Sequence, residues 1–207
     1  TAMFSGCTKL EKVMLHDALT VIEEEMFMNC SSLKTVQYMT AENALCGEEN
    51  AVTLPGSIKE VADNAFNASG VLKVYFPATV TNAGDYLFAN CAQLTTVVLD
   101  DALTEIAPYM FDNAPALKTI QTYTVAEDGS YVITGEEGKG MLPSLLEELG
   151  DGAFSGSAVS EITLPATLDA IGENALGTGV VAVADGSGYL VAENVLLDED
   201  GVVLHVP

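Results

Sequence analysis

Apolar residues recur along the chain at fixed intervals, and phenylalanine is the clearest marker. Six phenylalanines, with a leucine as a seventh equivalent, are separated by 22 or 23 residues in four of six steps. These markers are Phe4, Phe27, Phe66, Phe88, Phe111, Phe154 and Leu176. Each phenylalanine is followed eight or nine residues later by a β-branched residue: Val13, Val36, Val74, Val97, Ile120 and Ile162. A fixed period with a constant internal phase predicts stacked repeats that share one core.

Each repeat contains two predicted elements. The V-x-L step of the pattern L-x-x-V-x-L has period two, which predicts a short strand with one buried face. Three residues before six of the seven markers stands an acid or a proline, residue types that favour the start of a helix; these are Glu24, Asp63, Asp85, Pro108, Asp151 and Glu173. Glycine or asparagine two residues after most markers tolerates a positive φ. We therefore predict an α/β repeat with one short strand and one short helical turn per coil.

Two repeats are longer than the others, and both are extended just after the strand. The segments LKTVQ (33–37) and LKTIQ (117–121) precede inserts at about 39–51 and 122–141, and the repeat resumes at Leu54-Pro55 and Leu142-Pro143. Inserts at the same point of two repeats should lie on one face of the solenoid. The second alternates around Asp128-Gly129 and predicts a β-hairpin, whereas the first resembles an irregular loop. The tail at about 189–207 predicts another hairpin, with its turn at Asp200-Gly201.

The repeats resemble a known family. The segments FSGCTKLEKVML, FMNCSSLKTVQY and FANCAQLTTVVL are similar to the BspA-like leucine-rich repeats of bacterial cell-surface proteins, as are LPGSIKEVADNAF and LPATLDAIGENAL. The resemblance implies a single leucine-rich-repeat solenoid domain over 1–207, a secreted or surface-attached location and roles in adhesion. It brings no catalytic residues. In that family the hairpin unit usually precedes further repeats, so we expect this chain to be part of a longer one.

Composition narrows the range of partners. The net charge is −23, all seven basic residues are lysine, and 49% of residues are hydrophobic, which excludes disorder. Nucleic acid is a poor partner because binding its phosphates requires a basic surface. Repulsion from anionic lipids disfavours a membrane surface, and no apolar run of about 18 residues predicts membrane insertion.

Little in the sequence points to catalysis or to a bound metal. No nucleophile, zinc or phosphate-loop motif is present, so we expect neither an enzyme nor a cofactor. Cys7, Cys30 and Cys91 share one repeat position, which favours small buried residues, although Cys7 and Cys30 are close enough in the predicted stack for a disulfide. The acids before the markers either cap helical turns or bind calcium loosely, and capping is the simpler interpretation.

The outward positions of the strands form the candidate binding surface. Four of the seven lysines fall there but only two of the thirty acids, and Met14, Leu72, Tyr75 and Val98 are expected to be exposed. Mixed, moderately apolar surface of this kind is typical of protein interfaces, although threonine and lysine also suit solvated strands. The candidate binding residues are Lys12, Met14, Thr35, Gln37, Lys73, Tyr75, Thr96, Val98, Thr119 and Gln121.

These observations predict a non-catalytic protein-interaction or adhesion module at the extracellular cell surface, which binds a protein of the host or of a neighbouring cell. The alternative is a structural spacer or wall-associated scaffold with an acidic surface that holds calcium weakly. Because neither end of the predicted stack carries a polar cap, end-to-end self-association is also expected.

Overall fold

A computed structural model describes residues 2–176, 181–184, 190–192, 195–197 and 203–205 of the chain. Its main feature is a sheet of nine parallel strands, with one added antiparallel strand on each of two of them. The parallel strands, in spatial order, are β1 (Lys12–His16), β3 (Thr35–Met39), β5 (Val52–Thr53), β7 (Lys73–Phe76), β9 (Thr96–Asp100), β11 (Thr119–Val125), β13 (Gly140–Met141), β15 (Glu161–Leu164) and β17 (Val181–Ala184). The antiparallel strands are β4 (Leu45–Cys46) beside β3 and β12 (Tyr131–Thr134) beside β11.

Two-residue strands build a second side of the solenoid. They form two small parallel sheets: β2 (Val21–Ile22), β6 (Glu60–Val61) and β8 (Asn82–Ala83), then β10 (Glu105–Ile106), β14 (Glu148–Leu149) and β16 (Ala170–Ile171). Near the C-terminus β18 (Leu190–Ala192), β19 (Val195–Leu197) and β20 (Val203–His205) pair antiparallel, which confirms the predicted hairpin pairing in the tail. Its predicted turn at Asp200-Gly201 lies outside the described residues.

The phenylalanines form one stacked column, as the repeat period predicts. Neighbouring ring centroids lie 5.6, 5.1, 5.1, 5.8 and 5.4 Å apart from Phe4 through Phe154. All are fully buried except Phe4, and Leu176 is also buried. The β-branched residues of the strands join the same core, so the column and the main sheet enclose one continuous apolar interior.

The predicted helical turns are wrong: the described residues contain strands, turns and bends but no helix. Two positions adopt a positive φ in each of the five segments around Phe27, Phe66, Phe88, Phe111 and Phe154, as at Asn64 (57°) and Ala68 (54°) on either side of Phe66. Left-handed residues at that spacing interrupt a right-handed helix. The backbone N–H groups instead bind the next coil; the N–H of Phe66 donates to Leu87 O at 2.9 Å.

Two of the acids that were expected to cap helices bind the neighbouring coil instead. Asp63 Oδ1 accepts a hydrogen bond from the backbone N–H of Asp85 at 3.0 Å, and Asp151 Oδ1 accepts one from Glu173 at 2.7 Å. Each carboxylate therefore satisfies a donor at the start of the following turn. Among the described residues, no group of three or more histidines, cysteines or acids is placed to hold a metal ion.

The inserts add strands to one side of the solenoid only. On the main sheet, β5 lies between β3 and β7, so those two strands are about 10 Å apart. On the opposite side the coils remain adjacent, since Ile22 pairs with Val61 directly and the rings of Phe27 and Phe66 are 5.1 Å apart. The second insert repeats this arrangement with β13. Each insert thus widens the main sheet relative to the phenylalanine column.

Candidate functional site

The predicted binding residues include the anchors of the two inserts. Thr35 and Thr119 occupy the same repeat position, and their hydroxyls accept backbone N–H bonds from Asn50 at 3.0 Å and Gly138 at 2.9 Å. Two residues further along, the Gln37 and Gln121 side-chain amides donate to backbone carbonyls of their own inserts: Gly47 O at 2.8 Å and Gly135 O at 3.1 Å. In each insert, one threonine and one glutamine side chain therefore fix the returning backbone.

A short repeated motif completes this arrangement and was missed by the sequence analysis. Each insert returns through glycine, two glutamates and a left-handed residue, as GEEN (47–50) and GEEG (135–138), followed four residues later by leucine and proline. Gly47, Asn50, Gly135 and Gly138 all have positive φ. The combination of T-x-Q in the strand with G-E-E before L-P was visible in the sequence. It marks the two places where an extra strand enters the sheet.

Because the inserts fold back, much of the predicted strand face is covered. Tyr75 and Val98 are 2% and 0% exposed, so the prediction that they are exposed is wrong. Five of the ten candidate residues are buried, three are half-buried and two are exposed. The buried residues are Thr35, Gln37, Tyr75, Val98 and Thr119; Lys73, Thr96 and Gln121 are half-buried; Lys12 and Met14 are exposed.

A small second core explains this burial. Ala51, Tyr75, Val98 and Tyr123 form a buried cluster on the outward side of the sheet. The Tyr131 ring lies on this cluster, 4.5 Å from the Tyr123 centroid and 5.6 Å from that of Tyr75. Since β12 is hydrogen-bonded to β11 and Tyr75 lies two strands away on β7, the hairpin of β11 and β12 must curl across the sheet.

The first insert is also more regular than the predicted loop. Strand β3 continues to Met39 and pairs with β4, with Tyr38 opposite Cys46 and Met39 opposite Leu45. The Thr40 N–H donates to Ala44 O at 2.9 Å and closes the turn. The second insert forms the predicted hairpin, with Gly129 at a φ of 82° and the Asp128 carboxylate accepting from the Ser130 backbone.

Acids of the first insert pair with lysines of the flanking strands. Glu49 binds the ammonium of Lys12 on β1, and this pairing lowers the pKa of the Glu49 carboxyl. Glu48 accepts from the Tyr75 hydroxyl at 2.9 Å and lies 3.3 Å from the Lys73 ammonium on β7. Lys73 also lies over the Tyr75 ring, 4.5 Å from its centroid. Two of the four strand lysines are therefore neutralised by insert glutamates.

An open cavity of about 340 Å³ lies where the two inserts meet. Three tyrosine rings and the side chains or backbone of both inserts line it: Tyr38, Cys46, Gly47, Glu48, Thr53, Tyr75, Gly129 and Tyr131. The Thr53 hydroxyl is buried without a hydrogen-bond partner, as is the side-chain carbonyl of nearby Gln37. We call this cavity the tyrosine cleft.

Burial raises the pKa of the tyrosines around this cleft. It raises the pKa of Tyr38 to about 12, with a further contribution from a hydrogen bond to Cys46. It also raises the pKa values of Tyr75 and Tyr131. The pKa of Tyr123 is raised by burial and by the charge of Asp100. These hydroxyls are therefore neutral hydrogen-bonding groups at physiological pH.

The far side of the hairpin has a different chemistry. A groove of about 480 Å³ runs between the hairpin and the next coils, and its walls carry hydroxyl groups, apolar side chains such as Met141 and Leu142, and Asp101. These include Thr122, Thr124 and Thr134 of the hairpin and Thr163 of β15. The second insert thus divides the outward face into an aromatic cleft and a hydroxyl-lined groove.

The cysteines are free thiols, and the possible bond between Cys7 and Cys30 is not formed. The Cys30 thiol donates to Phe4 O at 3.0 Å, and the Cys91 thiol donates to Phe66 O at 3.3 Å. Burial raises the pKa of Cys91 to about 11. Cys30 and Cys91 are buried structural residues, as their repeat position predicted, whereas Cys7 is exposed.

Comparison with known proteins places these repeats in a family. The family model for the BspA type leucine-rich repeat region matches six copies in the chain, over residues 1–47, 44–135 and 139–178. This protein belongs to the BspA-type leucine-rich repeat family. The match confirms the resemblance seen in the sequence, and it spans both insert-bearing repeats of the BspA-type solenoid. No curated protein matches the chain.

Solved structures are similar in fold alone. A leucine-rich cell-surface protein of Faecalibacterium prausnitzii is 17% identical with a TM-score of 0.41, over 86% of this chain and 54% of that one. A leucine-rich repeat protein of Eubacterium ventriosum is 15% identical with a TM-score of 0.44, over 89% and 62%. The pneumococcal vaccine antigen PcpA is 14% identical with a TM-score of 0.38, over 92% and 35%. This BspA-type chain thus spans about half to two thirds of the first two.

Within the described part of this chain, no helix is long and apolar enough to cross a membrane.

Proposed function

We propose that this BspA-type protein is a non-catalytic protein-interaction or adhesion module displayed at the cell surface. Its ligand docks on the two inserts rather than on a bare strand face. The observation that carries the proposal is a set of exposed apolar side chains on the two inserts, of which Tyr131 lines the tyrosine cleft: Leu45, Val125, Tyr131, Val132 and Ile133, each at least 41% exposed.

This placement has a physical basis. Exposed aromatic and aliphatic residues beside polar groups are enriched in protein interfaces, whereas a folded chain gains nothing by exposing them together. The hairpin that carries four of them is anchored at its base by Gln121 and Thr119. A preorganised platform of this kind binds a partner with less loss of conformational entropy.

The surface location is proposed from the family, and the Faecalibacterium protein of similar fold is described as a cell-surface protein. The strongly acidic exterior suits exposure to solvent, because a net charge of −23 opposes self-aggregation. A protein ligand with a basic surface would be attracted to this exterior at low ionic strength.

The test is a capture experiment with two matched variants. The insert variant changes Leu45, Val125 and Ile133 to threonine, which keeps strand propensity and removes exposed apolar area. The control changes Met3, Met14 and Leu145 to threonine, three equally exposed apolar residues outside the inserts. Tagged proteins are incubated with detergent extracts of host-cell and bacterial surfaces, and bound proteins are compared by mass spectrometry.

We expect one set of proteins to be captured by the wild type and by the control but lost from the insert variant, with all three melting at similar temperatures. If only the control loses the captured proteins, the ligand binds at the exposed β1 end of the strand face and not at the inserts. If neither variant captures less than the wild type, the proposal is wrong. Micromolar calcium binding without any captured protein would instead favour a wall-associated spacer.

A further inference from the structure

The tyrosine cleft has the chemistry of a receptor for a positively charged side chain. Its walls combine aromatic faces with a carboxylate at the rim, since Tyr38, Tyr75 and Tyr131 lie around the cavity beside Glu48. The quadrupole of an aromatic ring attracts a cation placed over its face. A carboxylate at the rim adds a charge-assisted hydrogen bond.

The protein already contains one example of this interaction in the same place. The Lys73 ammonium lies over the Tyr75 ring and contacts the Glu48 carboxylate. Lys73 approaches from the sheet and covers the Tyr75 ring, which leaves Tyr38 and the 41%-exposed Tyr131 as the rings available to a ligand. Glu48 stays accessible, with 59% of its side chain exposed.

The electrostatics around the cleft favour a cation. Besides Glu48, Asp17 lies near enough to Tyr38, and Asp100 near enough to Tyr131, for its charge to raise the pKa of that tyrosine. The positive charge that we find next to these three acids is that of Lys73, which is already paired with Glu48. With the net charge of −23, the field at the cleft repels an anionic ligand and attracts a basic one.

One wall of the cleft also carries an unsatisfied polar group. The hydroxyl of Thr53 is buried and lacks a hydrogen-bond partner. It can accept a hydrogen bond, and a guanidinium carries five donors in a planar fork. A planar cation that stacks on tyrosine and donates several hydrogen bonds matches this arrangement better than a compact ammonium does.

We propose that the tyrosine cleft receives an arginine side chain from a basic segment of the protein ligand, with lysine bound more weakly. The guanidinium stacks between Tyr38 and Tyr131 and donates to Glu48. This assignment rests on the proposed function and specifies which side chain of the ligand enters the surface formed by the inserts.

The test uses small probes and a matched pair of variants. The probes are the N-acetyl amides of arginine, lysine, leucine and glutamate, together with methyl glucoside, and tyrosine-ring NMR signals report binding to the intact chain. Glu48→Gln removes the rim charge. Glu136→Gln is the control, because Glu136 holds the same position in the second GEE motif and lies outside the cleft.

We expect arginine amide to shift the Tyr38 and Tyr131 signals at millimolar concentration, lysine amide to bind more weakly, and the others to have no effect. Glu48→Gln should weaken arginine amide binding about three- to five-fold, as expected for one partly exposed charged contact, while Glu136→Gln changes nothing. Raising the salt concentration should weaken binding by the wild type.

Equal binding of leucine amide or methyl glucoside would overturn the assignment, as would unchanged binding in Glu48→Gln or no binding of arginine amide. These outcomes are distinct from failure of the proposed function. If the threonine insert variant loses the captured proteins while Glu48→Gln keeps them all, the interaction surface stands and the arginine receptor is wrong.

Discussion

Gln37 and Gln121 show how single side chains decide the shape of the outward face. Each lies at an outward strand position, where a polar residue would ordinarily be solvated. Each instead donates to a glycine carbonyl of its own insert, at 2.8 Å and 3.1 Å. Together with the Thr35 and Thr119 hydroxyls, which accept from the same returning segments, these bonds hold each added strand in place.

We predict that Gln121→Leu lowers the free energy of unfolding by about 1–3 kcal/mol, because the Gly135 carbonyl loses its donor in a half-buried position. Urea denaturation measures the change. Thr163→Val is the control, since Thr163 holds the same position in a coil without an insert, and we expect a change within about 0.5 kcal/mol. Equal effects of the two substitutions would show that Gln121 is not an anchor.

Ala68 holds a left-handed conformation, with a φ of 54°, at a position where other repeats carry glycine or asparagine. A left-handed alanine costs roughly 1–2 kcal/mol, more than the added chain entropy of glycine. We predict that Ala68→Gly raises the free energy of unfolding by about 0.5–1 kcal/mol in urea. Ala92→Gly, at an exposed turn position without positive φ, should lower it. A decrease in both variants would contradict this account of the strain.

Residue-scale features with a local cause could be predicted from the sequence. The phenylalanine column, the buried small position of Cys30 and Cys91, and the positive φ after each phenylalanine all follow from the repeat alone. The burial of Tyr75 and Val98 could not be predicted in this way. Alternation gives the direction of a side chain, but the covering residues, Ala51 and Tyr123, come from inserts 24 or more residues away in the sequence.

At the scale of elements, the two inserts are variants of one design. Each leaves the sheet after a T-x-Q strand and returns through a GEE motif as an extra parallel strand. The second hairpin was predicted because Asp128-Gly129 is a strong turn signal. The first was not, since its turn closes through Thr40 and Ala44 with Asn43 left-handed, a weaker pattern. The predicted helical turns do not form, because the backbone N–H groups of each turn donate to carbonyls of the next coil.

The tyrosine cluster between these elements gives a pH prediction. Burial raises the pKa of Tyr38 to about 12, and the pKa values of Tyr75 and Tyr131 are also raised, from about 10 in the unfolded chain. The folded state therefore holds these protons more tightly. The contribution of these tyrosines to the free energy of unfolding is fully present below pH 10, and it is lost as the pH rises from about 10 to 12.

Tyrosinate absorbance and urea midpoints across this range test the prediction, and Tyr38→Phe should make the decline shallower. Ionisation of all tyrosines together near pH 10 while the protein remains folded would show that the cluster is not buried.

At the scale of the whole molecule, the solenoid has one continuous core but two different sides. The turn side repeats without interruption, with the phenylalanine rings 5.1–5.8 Å apart. The main sheet accommodates two further strands, and the chain that carries them projects over its outward face. The repeat period predicted the stacking of the phenylalanines on the first side, although its turns contain no helix among the described residues. It could not predict that the second side would be closed by a separate small core.

The central claim is that the inserts close over the strand face and create the tyrosine cleft. The most direct test is a nuclear Overhauser experiment on the chain with isotope-labelled tyrosine rings. We predict cross-peaks between Tyr131 and Tyr123, whose centroids are 4.5 Å apart, and between Tyr131 and Tyr75, at 5.6 Å. A Tyr75 ring that gives no cross-peak to Tyr131 and is fully accessible to a soluble paramagnetic probe would contradict the account.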